Sequence, residues 1–159
     1  MALHDPGPVL SEHVGVVAAP ADRVRSIVLA VGTGDLSGSG VPVILGAQGG
    51  QRVVVEGGPD VFRADVNGVP LTIQVDRDGG WVQARGQWWW CRRFEIGTDA
   101  SGDTLVRQRT FNCASGRTAA LVPFTVGRGH RRAGEAALRG LLEHLSQRLG
   151  CKAWMLPDS

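Results

Sequence analysis

The hydrophobic period of this chain switches from two to helical after its central strands, and that switch limits its fold more than any other feature. From Gln51 to Ala114 apolar and polar residues alternate, the pattern of strands with one face buried. Strand-like runs fall at 52–56, 60–66, 69–76, 81–85, 87–96 and 103–113. Turn residues separate them: Gly57-Gly58-Pro59, Asn67-Gly68, Asp78-Gly79-Gly80, Arg85-Gly86 and the stretch from Gly97 to Gly102. Asn-Gly is the clearest break, because both central residues of a type I′ hairpin turn need positive φ. Six strands joined by short turns form an antiparallel meander. After residue 130 the period becomes helical. Ala137, Leu138, Leu141, Leu142, Leu145 and Leu149 share one face, Arg139, Glu143, Gln147 and Arg148 lie elsewhere, and Gly150 stands where a helix-ending glycine belongs.

The N-terminal third completes the order. Residues 1–12 are polar and proline-bearing and read as a flexible arm. A short strand follows, Val14 to Ala18, then a helix opened by Pro20 and Asp22 with Val24, Ile27 and Val28 at helical spacing. Residues 32–50 are dense in glycine, each costing a helix about 1 kcal/mol against alanine, so they read as a loop. The arm over 1–12, one domain over 13–150 and a tail over 151–159 account for 159 residues, a length with one ordinary core.

Composition removes several functions. Seventeen basic and fifteen acidic side chains give +2, far from a nucleic-acid binder. No apolar run reaches the roughly 20 residues of a membrane helix, so no membrane partner is expected. The N-terminus has neither the basic nor the apolar region of a secretory signal, which points to the cytoplasm. Cys91, Cys113 and Cys151 form no metal-binding spacing, and His4, His13, His130 and His144 form no His-x-x-x-His pair. No cofactor or metal is expected.

Three segments have a recognisable order: Val16-Val17-Ala18-Ala19-Pro20-Ala21-Asp22-Arg23-Val24, the hairpin from Trp90 to Leu105 with Gly102-Asp103-Thr104-Leu105 at its turn, and the terminal leucine helix. Together they resemble the START / Bet v 1-like (SRPBCC) superfamily, which includes polyketide cyclases and many small lipid- or hormone-binding proteins. The resemblance implies an α+β helix-grip fold. A curved antiparallel sheet in the order β-α-β6-α would wrap the long helix and leave a cavity for a hydrophobic small molecule. It also makes residues 32–50 a lid or an open entrance to that cavity.

Strand parity then lines the cavity. Pairing 87–96 with 103–113 so that Phe94 opposes Val106 sets Trp88, Trp90, Arg92, Phe94, Gln108, Thr110 and Asn112 on one face, with Val82 and Ala84 beside them. Trp89, Cys91, Arg93, Glu95, Leu105, Arg107 and Arg109 take the other, solvent face. A buried arginine needs a counter-charge. Arg92 is therefore either a structural or solvent-edge arginine, with Asp65 its candidate partner, or a ligand or substrate contact. Trp88 and Trp90 either pack against Leu138 and Leu142 or stack on a ligand, while Trp89 faces outward and invites a homodimer. Arg128, His130, Arg131 and Arg132 precede the long helix, where cations oppose its dipole, so an anion such as an acyl carrier protein would suit them. The alternative is a solvated basic turn near Glu135.

The expected function is a cofactor-independent cyclase or aromatase of natural-product biosynthesis. Arg92 would stabilise an enolate, His144 would act as general base at the cavity rim, and Gln108, Thr110 and Asn112 would orient carbonyls. Trp88, Trp90, Phe94, Leu138 and Leu142 would shape the substrate. A non-catalytic carrier or sensor is the alternative, and an interaction module using Trp89 and the basic turn is the third.

Overall fold

The computed structural model describes residues 6–35, 52–86 and 88–158. Its strands are β1 (Val9–Val17), β2 (Gly34–Asp35), β3 (Val53–Gly57), β4 (Val61–Val66), β5 (Val69–Asp76), β6 (Trp81–Gly86), β7 (Trp90–Thr98), β8 (Thr104–Asn112) and β9 (Ala153–Met155). Two α-helices, α1 (Ala21–Val28) and α2 (His130–Leu149), and a 3-10 segment (Gly116–Phe124) complete the described elements. All nine strands belong to one sheet in the order β2-β3-β4-β5-β6-β7-β8-β1-β9, with every pairing antiparallel. The chain is an α+β protein whose large antiparallel sheet and C-terminal helix fit a helix-grip-like arrangement.

The meander from β3 to β8 follows the alternation within a few residues. Asn67 and Gly68 take φ values of 50° and 85°, the geometry the β4–β5 turn requires. At the β7–β8 turn, Asp99 Oδ1 accepts hydrogen bonds from the backbone N–H of Ser101 (2.8 Å) and Asp103 (3.0 Å). That Asx-type turn sets Phe94 opposite Gln108 rather than Val106. The correction is two residues, an even slip, so the side chains from Trp90 on in β7 and those of β8 keep their expected face.

Two ends differ from expectation. The first strand begins at Val9, so residues 9–12 are sheet and not arm. They pair with β8, and a bulge between Val9 and Ser11 adjusts the register. The tail contributes β9, which pairs with β1 through Gly15, Val16 and Val17. Of the glycine-rich 32–50 stretch, Gly34–Asp35 form β2 against β3. Residues 36–51, on which the lid or entrance reading falls, lie outside those described.

One face of the sheet carries the core. Val24 and Val28 of α1 and Leu138, Leu141, Leu142 and Leu145 of α2 are buried with Ile73, Val82, Phe94, Ile96 and Val106 of the strands. Two glycines bring α2 close. A Cβ at Gly15 would stand 2.6 Å from Leu142 Cδ1, and one at Gly134 would stand 2.7 Å from Gln108 Oε1. The helix thus crosses from Gln108 on β8, near its N-terminus, to Gly15 on β1. Among the described residues no helix is long and apolar enough to cross a membrane.

Candidate functional site

Two rows of side chains cross the inner face of the sheet beneath the start of α2. Direct cross-strand pairing aligns Ala84, Arg92, Thr110 and Ser11 in one row. The next aligns Val82, Phe94, Gln108 and His13. All eight are buried. Apolar residues bound the patch on the β6 side, and α2 bounds it above Gln108.

Arg92 is its most unusual member. The residue is 6% exposed, its Nε is buried without a hydrogen-bond partner, and its guanidinium carbon lies 5.1 Å from the Trp90 ring centroid. Burial pushes its pKa down to about 10. Asp65, the carboxylate expected beside it, instead is exposed on β4 and accepts the N–H of Gly68 at 2.7 Å. Neighbouring residues on a strand face opposite sides, and Asp65 sits between the buried Ala64 and the core-packed Val66. Among the described residues the inward positions of the strands carry no Asp or Glu. Among the described residues the ring of Trp90 is the one partner of this cation, a weaker substitute for a carboxylate.

The neighbouring polar groups are only partly satisfied. Gln108 donates from Nε2 to Thr110 Oγ1 at 3.0 Å, while its Oε1 is buried without a partner. The Thr110 hydroxyl, having accepted that bond, retains a proton to donate. Asn112 is different: Nδ2 donates to Ala119 O at 2.8 Å, and Oδ1 accepts the Ala114 N–H at 3.1 Å. It fastens the 3-10 segment to β8, so orienting a substrate carbonyl is not its visible task.

Two histidines join this patch. His13 is 3% exposed, its Nε2 lies 3.1 Å from Arg131 O, and its Nδ1 lies 3.4 Å from the Asp158 carboxylate without an aligned hydrogen bond. His130 Nδ1 lies 3.0 Å from the Ser11 hydroxyl. Burial, then Arg131, then His13 hold the His130 pKa below the ordinary imidazole value. The unfolded chain therefore takes up a proton that the folded chain resists, and stability falls as pH drops below about 6.5. Urea midpoints measured from neutral to mildly acidic pH are expected to fall, and to fall less in His130→Gln.

His144 does not belong to this group. It sits ten residues beyond Gly134 on α2, about 15 Å along the axis, half-buried near Arg148. The sequence reading missed His13 because it started the strand at Val14. Extending the alternation backwards through Gly15, His13 and Ser11 finds it.

The tryptophans also depart from expectation. Trp90 packs against the core as expected, whereas Trp88 is 55% exposed and Trp89 is 7% exposed. Residues 88 and 89 lie in the turn between β6 and β7, where strand alternation does not apply. Trp89 is therefore buried and offers no outward ring for a homodimer. Leu138 and Leu142 are core residues of α2.

Arg93, Glu95, Arg107 and Arg109 do lie on the outer face, but Arg93 is not solvated. It is 8% exposed, donates twice to Gln83 Oε1 at 2.9 and 2.7 Å, and stacks on Trp81 at 4.3 Å and Phe111 at 5.3 Å. Cys91 is fully buried on that side as well. A depression of about 520 Å³ lies on the outer side of β3–β5, lined by Val54, Glu56, Arg63, Asp65, Pro70 and Thr72. It contains none of the inner-face polar groups. Its exposed charges are already solvated, so the buried cation is the stronger chemical signal.

Comparison with solved structures adds a likeness of fold. No family model matches the chain, and no curated protein matches it. A solution NMR structure of a structural-genomics target from Thermobifida fusca is similar, with a TM-score of 0.54 at 15% identity. The match covers 86% of this chain and 92% of that one. The likeness is one of fold. It agrees with a large antiparallel sheet and a C-terminal helix, and assigns no chemistry to the inner face.

Proposed function

We propose that the chain is a START / Bet v 1-like protein that takes a hydrophobic or aromatic small molecule between its sheet and α2. The observation that carries this reading is Arg92, a buried cation with no carboxylate partner among the described residues, on an inner face that is otherwise mostly apolar. A few polar groups converging within apolar walls are what a small-molecule site requires. Trp90 and Phe94 would pack against the ligand body, and Thr110 and Gln108 would meet its oxygen atoms.

The reaction suited to this wall is a cofactor-independent cyclisation of a poly-carbonyl chain. A neutral imidazole removes a proton from a methylene between two carbonyls, and the resulting enolate oxygen is held by the Arg92 guanidinium. The enolate carbon bonds to a second carbonyl carbon, whose oxygen receives the proton. Loss of water then gives the unsaturated ring. Burial holds both His130 and His144 below the ordinary imidazole pKa, and His130 is the better placed base because it reaches the inner-face row through Ser11. Arg92 and Ser11 are two strand spacings apart, about 10 Å, so the Arg92 and His130 side chains would have to converge on one enolate from opposite ends of the row.

The commitment of Asn112 to backbone partners favours a second reading, a carrier or sensor without turnover, since it removes one expected orienting group. An acyl carrier protein would be the donor if the substrate arrives as a thioester. The free thiols of Cys91, Cys113 and Cys151 suit a cytoplasmic setting.

Tryptophan fluorescence titrated with a panel of aromatic and polyene compounds tests the site. Saturable quenching is expected, and Arg92→Leu should retain uptake of purely apolar compounds while losing product formation from a poly-β-carbonyl substrate. If wild type turns over no such substrate, the enzyme reading falls and the carrier reading remains. If no compound quenches, both fall.

A further inference from the structure

The surface between β8 and α2 combines two features that are individually unfavourable in water. From Thr104 to Gly134 the sequence contains no Asp or Glu, while Arg117, Arg128, Arg131 and Arg132 are all exposed. The first acid beyond that run, Glu135, is paired with Arg139 at 2.7 Å and does not neutralise the cluster. Arg131 and Arg132 lie in the first turn of α2, which has no acidic residue, so they oppose the helix dipole.

The same stretch of chain, between Arg117 and Arg132, carries large exposed apolar side chains. Leu121 is 58% exposed, Phe124 79% and Val126 56%. Leu121 and Phe124 are three residues apart in a 3-10 segment, a spacing that stacks them on one side. Their exposure does not come from a loosely packed loop. Val122 between them is fully buried, and its carbonyl accepts the N–H groups of Thr125 (3.2 Å) and Gly127 (2.8 Å). Ala119 of the same segment is fastened to Asn112 on β8. The backbone holds the apolar side chains outward.

We propose that this face docks on an anionic lipid bilayer. Leu121, Phe124 and Val126 would enter the boundary between headgroups and acyl chains, and the four arginines would meet lipid phosphates and carboxylates. Charge complementarity selects an anionic surface. Side chains this exposed need a partner that can close around them, which a fluid interface does without a preformed pocket. An acidic protein would satisfy the arginines but would need a matching cavity for Phe124. This inference concerns peripheral docking and stands whether or not the inner face binds a ligand.

The test is co-sedimentation of the full chain with phosphatidylcholine vesicles and with vesicles of two parts phosphatidylcholine to one part phosphatidylserine. Binding to the anionic vesicles is expected to exceed binding to the neutral ones at least about tenfold, and to fall steeply near 1 M salt, where the screening length is about 3 Å. Leu121→Ser with Phe124→Ser should lose roughly tenfold in partitioning, about 1.4 kcal/mol. Arg131→Gln with Arg132→Gln should abolish the preference for phosphatidylserine. Because these side chains are exposed, both variants should keep the wild-type circular dichroism spectrum and thermal midpoint. Equal binding to both vesicles, or none, overturns the proposal. So does undiminished vesicle binding by the serine variant. Binding to poly-glutamate in place of vesicles, indifferent to Phe124, overturns it in favour of an acidic protein partner.

Discussion

Arg92→Met is expected to stabilise the folded protein by about 2–3 kcal/mol in urea unfolding at pH 7. This is the reverse of the usual result for a buried substitution. The guanidinium is withdrawn from water with a pKa lowered to about 10, and desolvation is the cause. At about 1.36 kcal/mol per decade that displacement corresponds to about 3 kcal/mol against the charged form. Methionine keeps most of the apolar stem above Ala84 and Trp90 and removes the charge. The pH dependence follows. With the folded pKa below the unfolded one, the unfolded chain holds more protons at pH values between them, so this group's contribution rises with pH there. Its penalty is complete below about pH 10 and fades above it, and the difference between wild type and variant should shrink accordingly. A variant less stable than wild type at pH 7 would show that Arg92 has a stabilising partner, removing the main support for a ligand at this face. A ligand that supplies an anion would stabilise wild type and not the variant.

Phe94→Ala is expected to cost about 3–5 kcal/mol, the largest loss from a single truncation on this face. Phe94 is fully buried at the centre of β7, between Val82 and Gln108 along its row and between Arg92 and Ile96 along its strand. Removing the ring leaves a void beneath the start of α2 that a rigid sheet cannot close. Guanidinium unfolding monitored by far-ultraviolet circular dichroism measures the loss. A cost below about 1 kcal/mol would mean that the surrounding wall collapses freely and is not the close-packed layer described. The same void should admit a larger aromatic probe, so the affinity order of a ligand series is expected to shift toward bulkier members.

The fold was legible where local chemistry determines geometry. Asn67-Gly68 has the backbone preferences of one particular turn, and the leucine stripe of 138–149 can be buried by only one helical face. Parity of the β7 and β8 side chains survived a wrong register because the slip was even. Long-range partners were not legible. Nothing local to Val9–Ser11 reveals that β8 lies beside it, so His13 and Ser11 were missed. Nor does alternation indicate that it stops at residue 88, which reversed Trp88 and Trp89. Asp65 was the wrong partner for Arg92 because odd and even positions of one strand face opposite sides. The sequence identified the cation but not what surrounds it, since a lack of carboxylates is a property of nine strands taken together.

The order of the strands bears on how this protein meets other copies of itself. At one margin β9 covers β1 through Gly15, Val16 and Val17, and the N–H of Leu156 bonds Val14 O at 2.8 Å, so among the described residues Val9 to His13 form the open edge of β1. An edge of that kind invites pairing with another chain. Here it is blunted by the irregularity between Val9 and Ser11 and by Glu12, which accepts a hydrogen bond from Arg109 at 2.6 Å. A second strand laid along this margin would face a broken ladder and a fixed charge. Self-association by extending the sheet is therefore disfavoured, and the backbone of β1 is left available for folding within its own chain.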